Sequence, residues 1–455
     1  MNRITVKDLD PETIRLAVRG YFGDGGDRSL RERDRCWALY RGSKGALRDE
    51  VAQYFPEWFM RQLRLPICTQ NPARKIIGSR FISYRLPPDR TNPKGMDDLE
   101  HGLDAAMRSL ELSVGALGKD GLLIRWDEER ERFIYFVLHK YVTLHLPGDM
   151  EPAGVAYPLR NETAKQDREC RWAVWTDQAS FYLSPGAARV ANNDDGSDVN
   201  PYGVLPVLFA EREDEESEPL EDVFNAQGWH NWTMTLAGHA GLLQGLGVPW
   251  KNGRPPMPGE SEAIGPYNVQ YTEDGGFGFA SSGVDLEKLP ALARSYLDSV
   301  AFSHHLRLNW AGDSMATSGE HQRLLEADLT IAVMADNLRW AEFERNRVEV
   351  QKIIAQAVGK SIGSEDFSIN YRESHLPMSE QERFDLWEKE FSKGLATRAD
   401  YLQRKDPDLD DEAAAEAVAE LDKARQALKD MPEPPAQPTA RGGLLAAALA
   451  SGGQA

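Results

Sequence analysis

The triplet Gly359-Lys360-Ser361 comes near a catalytic motif, because it ends like a phosphate-binding loop. That motif needs another glycine five residues before the Gly-Lys pair, and this chain has Ile354 there. A phosphate-binding loop also follows a strand, whereas this triplet follows a helical pattern. We therefore expect no nucleotide-binding site at these residues.

The histidines are the next candidates for chemistry, as metal ligands or general bases. His304 and His305 are adjacent, so on a helix their side chains would point about 100° apart and could not easily share a metal ion. His101, His139 and His145 fall in different elements, without the i, i+4 spacing of helical metal pairs. No Gly-x-Ser-x-Gly nucleophile motif is present. We expect no catalytic residues, no metal and no cofactor, and a protein that is not an enzyme.

The cysteines and the apolar runs bear on the compartment. Cys36, Cys68 and Cys170 are too far apart for a disulfide framework or a zinc ribbon, which favours free thiols in a reducing compartment. The first eighteen residues lack the apolar run of a signal peptide. Leu444 to Ala450 is far shorter than the roughly 20 residues that span a bilayer. We expect a soluble protein, made in the cytoplasm, with no membrane partner.

The net charge of −19 argues against a protein that grips nucleic acid through its phosphates, because such binding depends on clustered Lys and Arg. It does not exclude a protein that surrounds DNA loosely, since an acidic wall repels phosphates and offers few sticky sites. The acidic runs at 211–222 and 406–422 are typical of solvated loops or helix faces.

Residues 1–118 have mostly helical patterns. Residues 119–210 are rich in short runs of β-branched and aromatic residues. The predicted strands are at 122–126, 133–138, 141–146, 171–176 and 204–209. Two helices then flank a small β insertion. They are predicted at Pro219 to Leu243 and Leu286 to Leu306, with strands at 267–272 and 277–280 between them.

One unusually long helix is predicted from Ser318 to Val358, behind a loop at 308–319 and a capping box of Thr317 and Glu320. Its apolar stripe consists of Leu324, Ala327, Ile331, Met334, Leu338, Ala341 and Val348, broken at Arg345. The first half is apolar almost all round, which predicts packing neighbours on several sides. The second half carries Arg339, Glu342, Glu344, Arg345, Arg347 and Glu349. We expect it to be partly wet and to run out toward solvent.

The C-terminal part has clear helix punctuation. Ser379 with Glu382, and Thr397 with Asp400, are predicted to start helices, and Gly394 is a good residue to follow a helix end. Asp410 is predicted to cap the last helix. The Pro-, Ala- and Gly-rich residues after Asp430 are typical of a disordered tail.

Several of these stretches, in this order, resemble motifs of the portal proteins of tailed bacteriophages. The matching segments are Asn71-Pro-Ala-Arg-Lys-Ile-Ile-Gly-Ser, Gly203-Val-Leu-Pro-Val-Leu-Phe, Ser318-Gly-Glu, Met378-Ser-Glu-Gln-Glu-Arg, Lys393-Gly-Leu-Ala-Thr-Arg-Ala-Asp-Tyr-Leu and Asp406-Pro-Asp-Leu-Asp-Asp-Glu. The chain departs from the family where His321 and Gln322 replace Ala-Leu and where Thr397 replaces Ser. Phe209 also comes one residue early. The resemblance covers about residues 60 to 430.

The resemblance implies an α+β portal-type fold with wing, stem, clip and crown regions around one long central helix. The implied regions are a wing at 1–217, a stem helix at 218–244, a clip at 245–284, a stem helix at 285–307, a tunnel loop at 308–317, a wing long helix at 318–375, crown helices at 376–430 and a disordered tail at 431–455. The tunnel loop would face DNA through Asn309, Trp310, Ala311, Gly312, Asp313, Ser314 and Met315. The clip would dock partners through Trp250, Lys251 and Arg254.

The implied protein is a homo-oligomeric ring, typically a dodecamer, at one vertex of a phage capsid, assembled in the host cytoplasm. Double-stranded DNA would pass through its channel without sequence readout during packaging and ejection. Further implied partners are the terminase large subunit, the major capsid protein, a scaffold and a head-tail adaptor. Two alternatives stay open: an enzyme with a site in the β-rich region, and a virion or scaffold protein with no DNA channel.

Overall fold

The computed structural model describes residues 3–23, 27–57, 60, 67–159, 170–187, 190–191, 196–212, 218–246, 248–252, 270–272, 277–280, 285–308, 319–371, 380–394, 396–405 and 411–429. The chain divides into two compact units, Met1–Ser374 and His375–Ala455. The first unit combines helices and sheets, and the described part of the second is helical. The predicted α+β class is confirmed. No described helix has both the length and the apolar character that a membrane span requires.

The N-terminal region is helical, as predicted. Its helices are α1 (Pro11–Gly23), α2 (Asp27–Tyr40), α3 (Lys44–Ala52), α4 (Pro72–Arg80) and α5 (Leu103–Leu117). Asn71 starts α4, because its side chain accepts a hydrogen bond from the Arg74 N–H at 3.1 Å and donates one to the Tyr40 carbonyl at 2.9 Å. Ile76 and Ile77 are then buried against α2 and α5. The segment singled out in the sequence is therefore a capped core helix.

The predicted β-rich stretch forms two sheets. Its strands are β3 (Lys119–Asp127), β4 (Arg132–Leu138), β5 (Val142–His145), β6 (Gly154–Pro158), β7 (Trp172–Thr176), β8 (Ser180–Leu183), β9 (Val190–Ala191) and β10 (Val207–Glu211). The six-stranded sheet has the order β1-β5-β6-β7-β8-β9, with β1 at Arg3–Thr5, and the three-stranded sheet has the order β10-β3-β4. A third, two-stranded pairing joins β2 (Asp89–Thr91) to β14 (Ser368–Asn370). All five strands predicted in this stretch are present within a few residues.

A helical hairpin follows, made of α6 (Glu221–Leu246) and α7 (Lys288–Ser303). Between them lies a small sheet in the order β12-β11-β13, from β11 (Val248–Asn252), β12 (Gln270–Thr272) and β13 (Phe277–Ala280). The second helix ends three residues before the predicted end. His305 adopts a positive φ of 61°, and the Leu306 N–H returns to the Ala301 carbonyl at 2.9 Å. This is a Schellman cap, here without glycine.

The long helix is present as α8 (Gly319–Ala357), within one residue of its predicted bounds at each end. Its C-terminus explains the triplet that imitates a phosphate-binding loop. Gly359 adopts a φ of 74°, and the Lys360 N–H bonds to the Ala355 carbonyl at 2.8 Å. The Gly-Lys pair is therefore the C-terminal cap of α8, and glycine is suited to it because the left-handed backbone carries no Cβ penalty there.

The second unit contains α9 (Glu380–Ser392), α10 (Arg398–Lys405) and α11 (Asp411–Lys429). The predicted capping box is confirmed: Thr397 N–H donates to Asp400 Oδ2 at 2.5 Å, and Asp400 N–H donates to Thr397 Oγ1 at 3.2 Å. Gly394 has the positive φ, 70°, of a residue that follows a helix end. Ser379, Asp410 and the predicted tail lie outside the described residues.

Candidate assembly surface and the charges behind it

The apolar stripe of α8 lies on the surface of the chain. Ile331, Met334 and Leu338 are 66%, 54% and 76% exposed, and Ala327 before them is exposed as well. The side chain of Leu324 lies outside the described residues. Isolated exposed apolar residues are ordinary, but four at i, i+4, i+7 and i+11 form one continuous face. In the first half of α8, this chain therefore supplies fewer packing neighbours than the apolar composition predicts.

The opposite face of α8 packs into the core of the first unit. Trp340 and Phe343 join its largest apolar cluster, where their ring centroids are 5.6 Å apart in an edge-on arrangement. Trp340 also meets the ring of Tyr84 edge-on at 5.4 Å. Neither aromatic residue belongs to the stripe identified in the sequence. Aromatic residues on the other side thus determine which face of α8 turns inward.

The second half of α8 carries a buried pair of opposite charges, Glu344 and Arg347, each with no exposed surface. Glu344 accepts hydrogen bonds from Arg347 Nε at 2.6 Å, from Arg90 Nη2 at 2.7 Å and from the Tyr84 hydroxyl at 3.0 Å. Arg347 also pairs with Glu100. Buried charges are tolerated only when paired and hydrogen-bonded in this way.

The electrostatics of this network follow from its partners. Burial opposes ionisation of Glu344, but Arg347 and Arg90 outweigh it and hold the pKa of this carboxyl below its usual value. Burial, together with the charge of Glu344, raises the pKa of Tyr84 well above its usual value, so the phenol remains a hydrogen-bond donor. The cluster is therefore a fixed set of charges and donors that locks α8 to β2 and to the segment just before α5.

These contacts correct one prediction. Glu342, Arg345 and Glu349 are exposed, so the second half of α8 is partly wet, as predicted. The prediction is wrong for Glu344 and Arg347, which point inward. The physical reason is that Arg90 and Glu100, far earlier in the chain, supply the charges that make burial possible. One side of the second half of α8 therefore lies in the core, and the other side faces solvent.

A second ion pair fixes α8 where its two halves meet. Arg80, at the end of α4, donates from Nη1 to Asp336 Oδ2 at 2.5 Å, and both side chains are mostly buried. Arg339 binds the other oxygen of Asp336 and the carbonyl of Glu211. Asp336 therefore sets the rotation of the helix just before the charged half begins.

The hairpin of α6 and α7 presents another partly apolar surface. Leu292, Tyr296 and Phe302 of α7 are exposed, while Leu297 and Val300 face the core. The two helices are also tied at their ends, where His304 Nε2 lies 2.7 Å from Asp222 Oδ2. Burial disfavours the charged form of Asp222, but the hydrogen bond from His304 prevails and lowers the pKa of its carboxyl.

A row of polar side chains on α6 binds the backbone of the segment 68–73. Gln227 accepts from the Ala73 N–H at 3.1 Å, and Asn231 both accepts from the Gln70 N–H at 3.0 Å and donates to its carbonyl at 2.8 Å. Thr235 accepts from the Cys68 N–H at 2.9 Å. The spacing i, i+4, i+8 places the three on one face of the helix. We call them the α6 polar row.

The residues predicted for partner docking are only partly described. Trp250 and Lys251 lie in the middle of β11, where Trp250 pairs with Gln270 and Gly278 on the flanking strands. These two predicted docking positions are thus consecutive residues of the central strand of the small sheet. Arg254 and the predicted tunnel-loop residues 309–315 lie outside the described residues, so their roles stay predictions.

The β-rich region contains one pair of side chains of the kind an enzyme could use. His139 Nδ1 lies 2.6 Å from Asp120 Oδ2, and Asp120 is fully buried. An aspartate that orients a histidine is one half of a catalytic triad. No hydrogen bond from a serine, threonine or cysteine to His139 occurs among the described residues, and the ring instead packs on Trp37 at 4.1 Å. The pair therefore joins α2 to the β3–β4 sheet.

Three further observations bear on the enzyme alternative. Burial raises the pKa of the Cys36 thiol to about 12, which leaves no thiolate to act as a nucleophile at neutral pH. A cavity of about 260 Å³ between α5, β10 and α8 has Phe81, Phe209 and Trp340 among its lining residues, and neither Asp120 nor His139 lines it. Within the described ranges, no group of His, Cys, Asp and Glu could hold a metal ion.

Comparison with known proteins gives a weak likeness only. No family model matches the sequence, and neither does a curated protein. A solved structure of the neck of a native GTA particle, computed with C12 symmetry, is 13% identical at a TM-score of 0.37 and covers 76% of this chain and 91% of its own. The neck of an empty GTA particle, computed with C6 symmetry, is 14% identical at a TM-score of 0.36, with the same coverage. Function has to be argued from the chain itself.

Proposed function

We propose that this chain is a structural subunit of a phage-type virion that assembles with copies of itself into a portal ring. The observation that carries the proposal is the exposed apolar stripe of α8, Ala327, Ile331, Met334 and Leu338. A continuous apolar face on a long helix is costly in water and is normally covered by a partner. The ordered series of portal-like motifs in the sequence supports the same reading.

In this proposal, the ring conducts double-stranded DNA into and out of the capsid. The net charge of −19 supports a passage role rather than a binding role. Phosphate contacts from Lys and Arg dominate the affinity of proteins for DNA, so an acidic channel leaves DNA free to slide. Energy for packaging would come from a separate motor, as the resemblance to portal proteins implies. The Gly359-Lys360 pair fits this division, since it is a helix cap and not a phosphate site.

The regions take the roles that the resemblance assigns. The α6–α7 hairpin is the stem, and the sheet of β11, β12 and β13 is the clip that meets the terminase large subunit and later a head-tail adaptor. Residues 309–315 form the tunnel loop against DNA. The capsid vertex, with the major capsid protein around the ring, is the location of the assembled protein.

Negative-stain electron micrographs of the purified chain test the proposal. We expect ring particles with a central hole wider than duplex DNA. A monomer at micromolar concentration would contradict it and favour the enzyme alternative, for which the Asp120–His139 pair is the specific observation. Closed particles or filaments without a central hole would favour a virion or scaffold protein of another kind.

The tunnel loop can be tested by itself in a packaging assay. Deletion of Trp310 to Ser314 is expected to leave rings intact in micrographs, because these residues fall in the sequence after the end of α7 at Ser303 and before the start of α8 at Gly319. DNA packaging or retention should fall, since the loop is assigned to the DNA path. Normal packaging by intact rings of the deletion variant would remove the role of the loop and leave the ring itself standing.

A further inference from the structure

We infer that the ring is closed by two different helices: the apolar stripe of α8 in one copy packs antiparallel against the exposed face of α7 in the next copy. This inference rests on the proposed ring. It names the surfaces in contact, which the proposed function leaves open, and it concerns only residues whose side chains are described.

The first surface is the α8 face already described. It runs through Ala327, Ile331, Met334 and Leu338, and Glu342 continues it by one turn at its C-terminal end. Because side chains three and four residues apart share a helix side, these five lie on one strip. The strip changes from apolar to acidic toward the C-terminus of the helix.

The second surface is the exposed face of α7, formed by Lys288, Leu292, Tyr296 and Phe302. Ser295 and Ser299 lie between them and are small, so another helix can approach closely. The opposite side of α7, with Ala293, Leu297 and Val300, packs into the core of the first unit. This strip changes from basic to apolar toward the C-terminus of the helix.

The two strips match in length. Ala327 to Leu338 and Leu292 to Phe302 contain twelve and eleven residues, and a rise of 1.5 Å from each residue to the next gives a length of about 16 Å for each. They also match in character, since each offers three large apolar side chains and one charge at an end. Burying about six such side chains is a substantial gain in association free energy.

The charges select the direction of packing. Antiparallel helices place Glu342 of one copy beside Lys288 of the next, and Phe302 beside Ala327. Parallel helices would instead place Glu342 beside Phe302 and leave its charge against an aromatic ring. Lys288 pairs at 3.1 Å with Asp285, three residues before the start of α7, while remaining mostly exposed, so it can turn to a carboxylate across the interface.

A second copy is the occupant that fits both strips. A ring needs a heterologous contact, in which one patch of a subunit meets a different patch of its neighbour. The described part of the first unit offers two such helical strips on the same chain. Its other exposed large apolar side chains are spread over separate elements. They are Leu16, Tyr54, Leu86, Phe136, Met150, Val199, Trp229 and Ile353.

Cysteine cross-linking between two differently tagged chains tests the contact. A chain with Leu338→Cys is mixed with a mass-tagged chain with Leu292→Cys, allowed to assemble, and treated with a short bismaleimide. We expect mixed 338–292 products to exceed 338–338 products at least tenfold. The wild-type chain, treated in parallel, reports products formed through Cys36, Cys68 and Cys170.

A matched control uses Glu349→Cys in place of Leu338→Cys. Glu349 is exposed on the same side of α8 but lies eleven residues further on, about 16 Å from Leu338. It should give no product with Leu292→Cys. Dominant 338–338 products would mean that like faces meet, which overturns the inference.

Micrographs of the same samples separate the two proposals. Rings without 338–292 products overturn the contact and leave the portal proposal standing. If no ring or other oligomer forms from the wild-type chain, the portal proposal and the contact both fail. Products between 338 and 292 in particles that are not rings would support the contact and contradict the portal.

A charge reversal gives a second test that needs no cysteine. Lys288→Glu or Glu342→Lys, each alone, should raise the protein concentration at half-assembly about three- to tenfold, because like charges then meet at the interface. The double variant should recover most of the wild-type value. A double variant no better than either single variant would contradict the pairing of these two residues.

Discussion

The two halves of α8 invert the relation between composition and burial that their sequence leads one to expect. Around Ile331 and Leu338 the helix is apolar and exposed, whereas around Glu344 and Arg347 it is charged and buried. The charged half finds its partners within the chain, at Arg90 and Glu100. The contrast teaches that burial depends on where a complementary surface lies. An apolar face that finds no such surface in its own chain can be buried only in an assembly.

The largest effect that would test this contrast comes from the buried half. Arg347→Met should lower the free energy of unfolding by about 3–5 kcal/mol, because it leaves Glu344 and Glu100 facing each other without their shared cation. Urea unfolding of the purified chain measures the change. Arg345→Met, two residues earlier and exposed, should change stability by less than about 0.5 kcal/mol.

Equal losses of unfolding free energy in Arg347→Met and Arg345→Met would contradict the comparison, because Arg347 would then behave like an exposed residue. A further variant sharpens it. The double change Glu344→Leu with Arg347→Met should recover part of the loss, because an apolar pair of similar volume no longer needs compensating charges. No recovery at all would mean that Arg90 and Tyr84 depend on the Glu344 carboxylate more than on packing.

A smaller effect of a different kind is expected from the exposed half. Leu338→Ser should weaken assembly by about 1.5–3 kcal/mol per interface, the value of covering one large apolar side chain, which is roughly tenfold or more in association. Sedimentation velocity across a dilution series measures it. Urea unfolding of the dilute chain should be unchanged within about 0.5 kcal/mol, because Leu338 makes few contacts inside its own chain.

The matched control for the stripe is Thr330→Ser, an exposed position of the same helix outside the stripe. It should leave assembly at the wild-type level. Loss of chain stability in Leu338→Ser, with assembly intact, would reverse the assignment of this half and make it part of the core.

How far the sequence leads can be judged from the same helix. Its bounds are predictable to one residue, because the helix-breaking residue types in the sequence at 308–319 and the glycine at Gly359 act locally. The face of α8 that turns inward is not predictable, because a stripe of Leu, Ile and Met has the same sequence pattern whether its own chain or a neighbouring copy covers it. The i, i+3 pair of Glu344 and Arg347, following Trp340 and Phe343, was the available signal for the buried face.

The sites show the same difference between local contacts, which can be predicted from the sequence, and long-range contacts, which cannot. The capping box of Thr397 and Asp400 is local and was predicted correctly. The α6 polar row is not predictable from the sequence, because Gln227, Asn231 and Thr235 have the pattern of solvated helix residues, and their partners lie far away in the chain at 68–73. Long-range pairing of backbone with side chains leaves no periodic trace in a single sequence.

The smallest expected effect is a change in the pH dependence of unfolding free energy, and it tests Glu344 alone. A carboxyl whose pKa is lowered by folding contributes stability that is present above its unfolded pKa, near 4.5, and is lost as pH falls through the lower folded pKa. The wild type should therefore lose stability relative to Glu344→Gln as pH falls below about 4.5, by at most about 1.4 kcal/mol per pH unit for one proton. Urea titrations of both chains at several pH values measure this difference. Parallel pH curves would mean that folding does not change the pKa of Glu344.

The α6 polar row also has a mechanical consequence. It ends at Thr235, the fifteenth residue of a helix about 39 Å long, and the remaining eleven residues lead to β11. Side-chain bonds to a backbone resist twisting of the helix about its own axis in a way that apolar contacts do not. A torque applied at the β11 end is therefore transmitted to the segment 68–73 and on to α4, because the hydrogen bonds of the row oppose rotation of the helix relative to that segment.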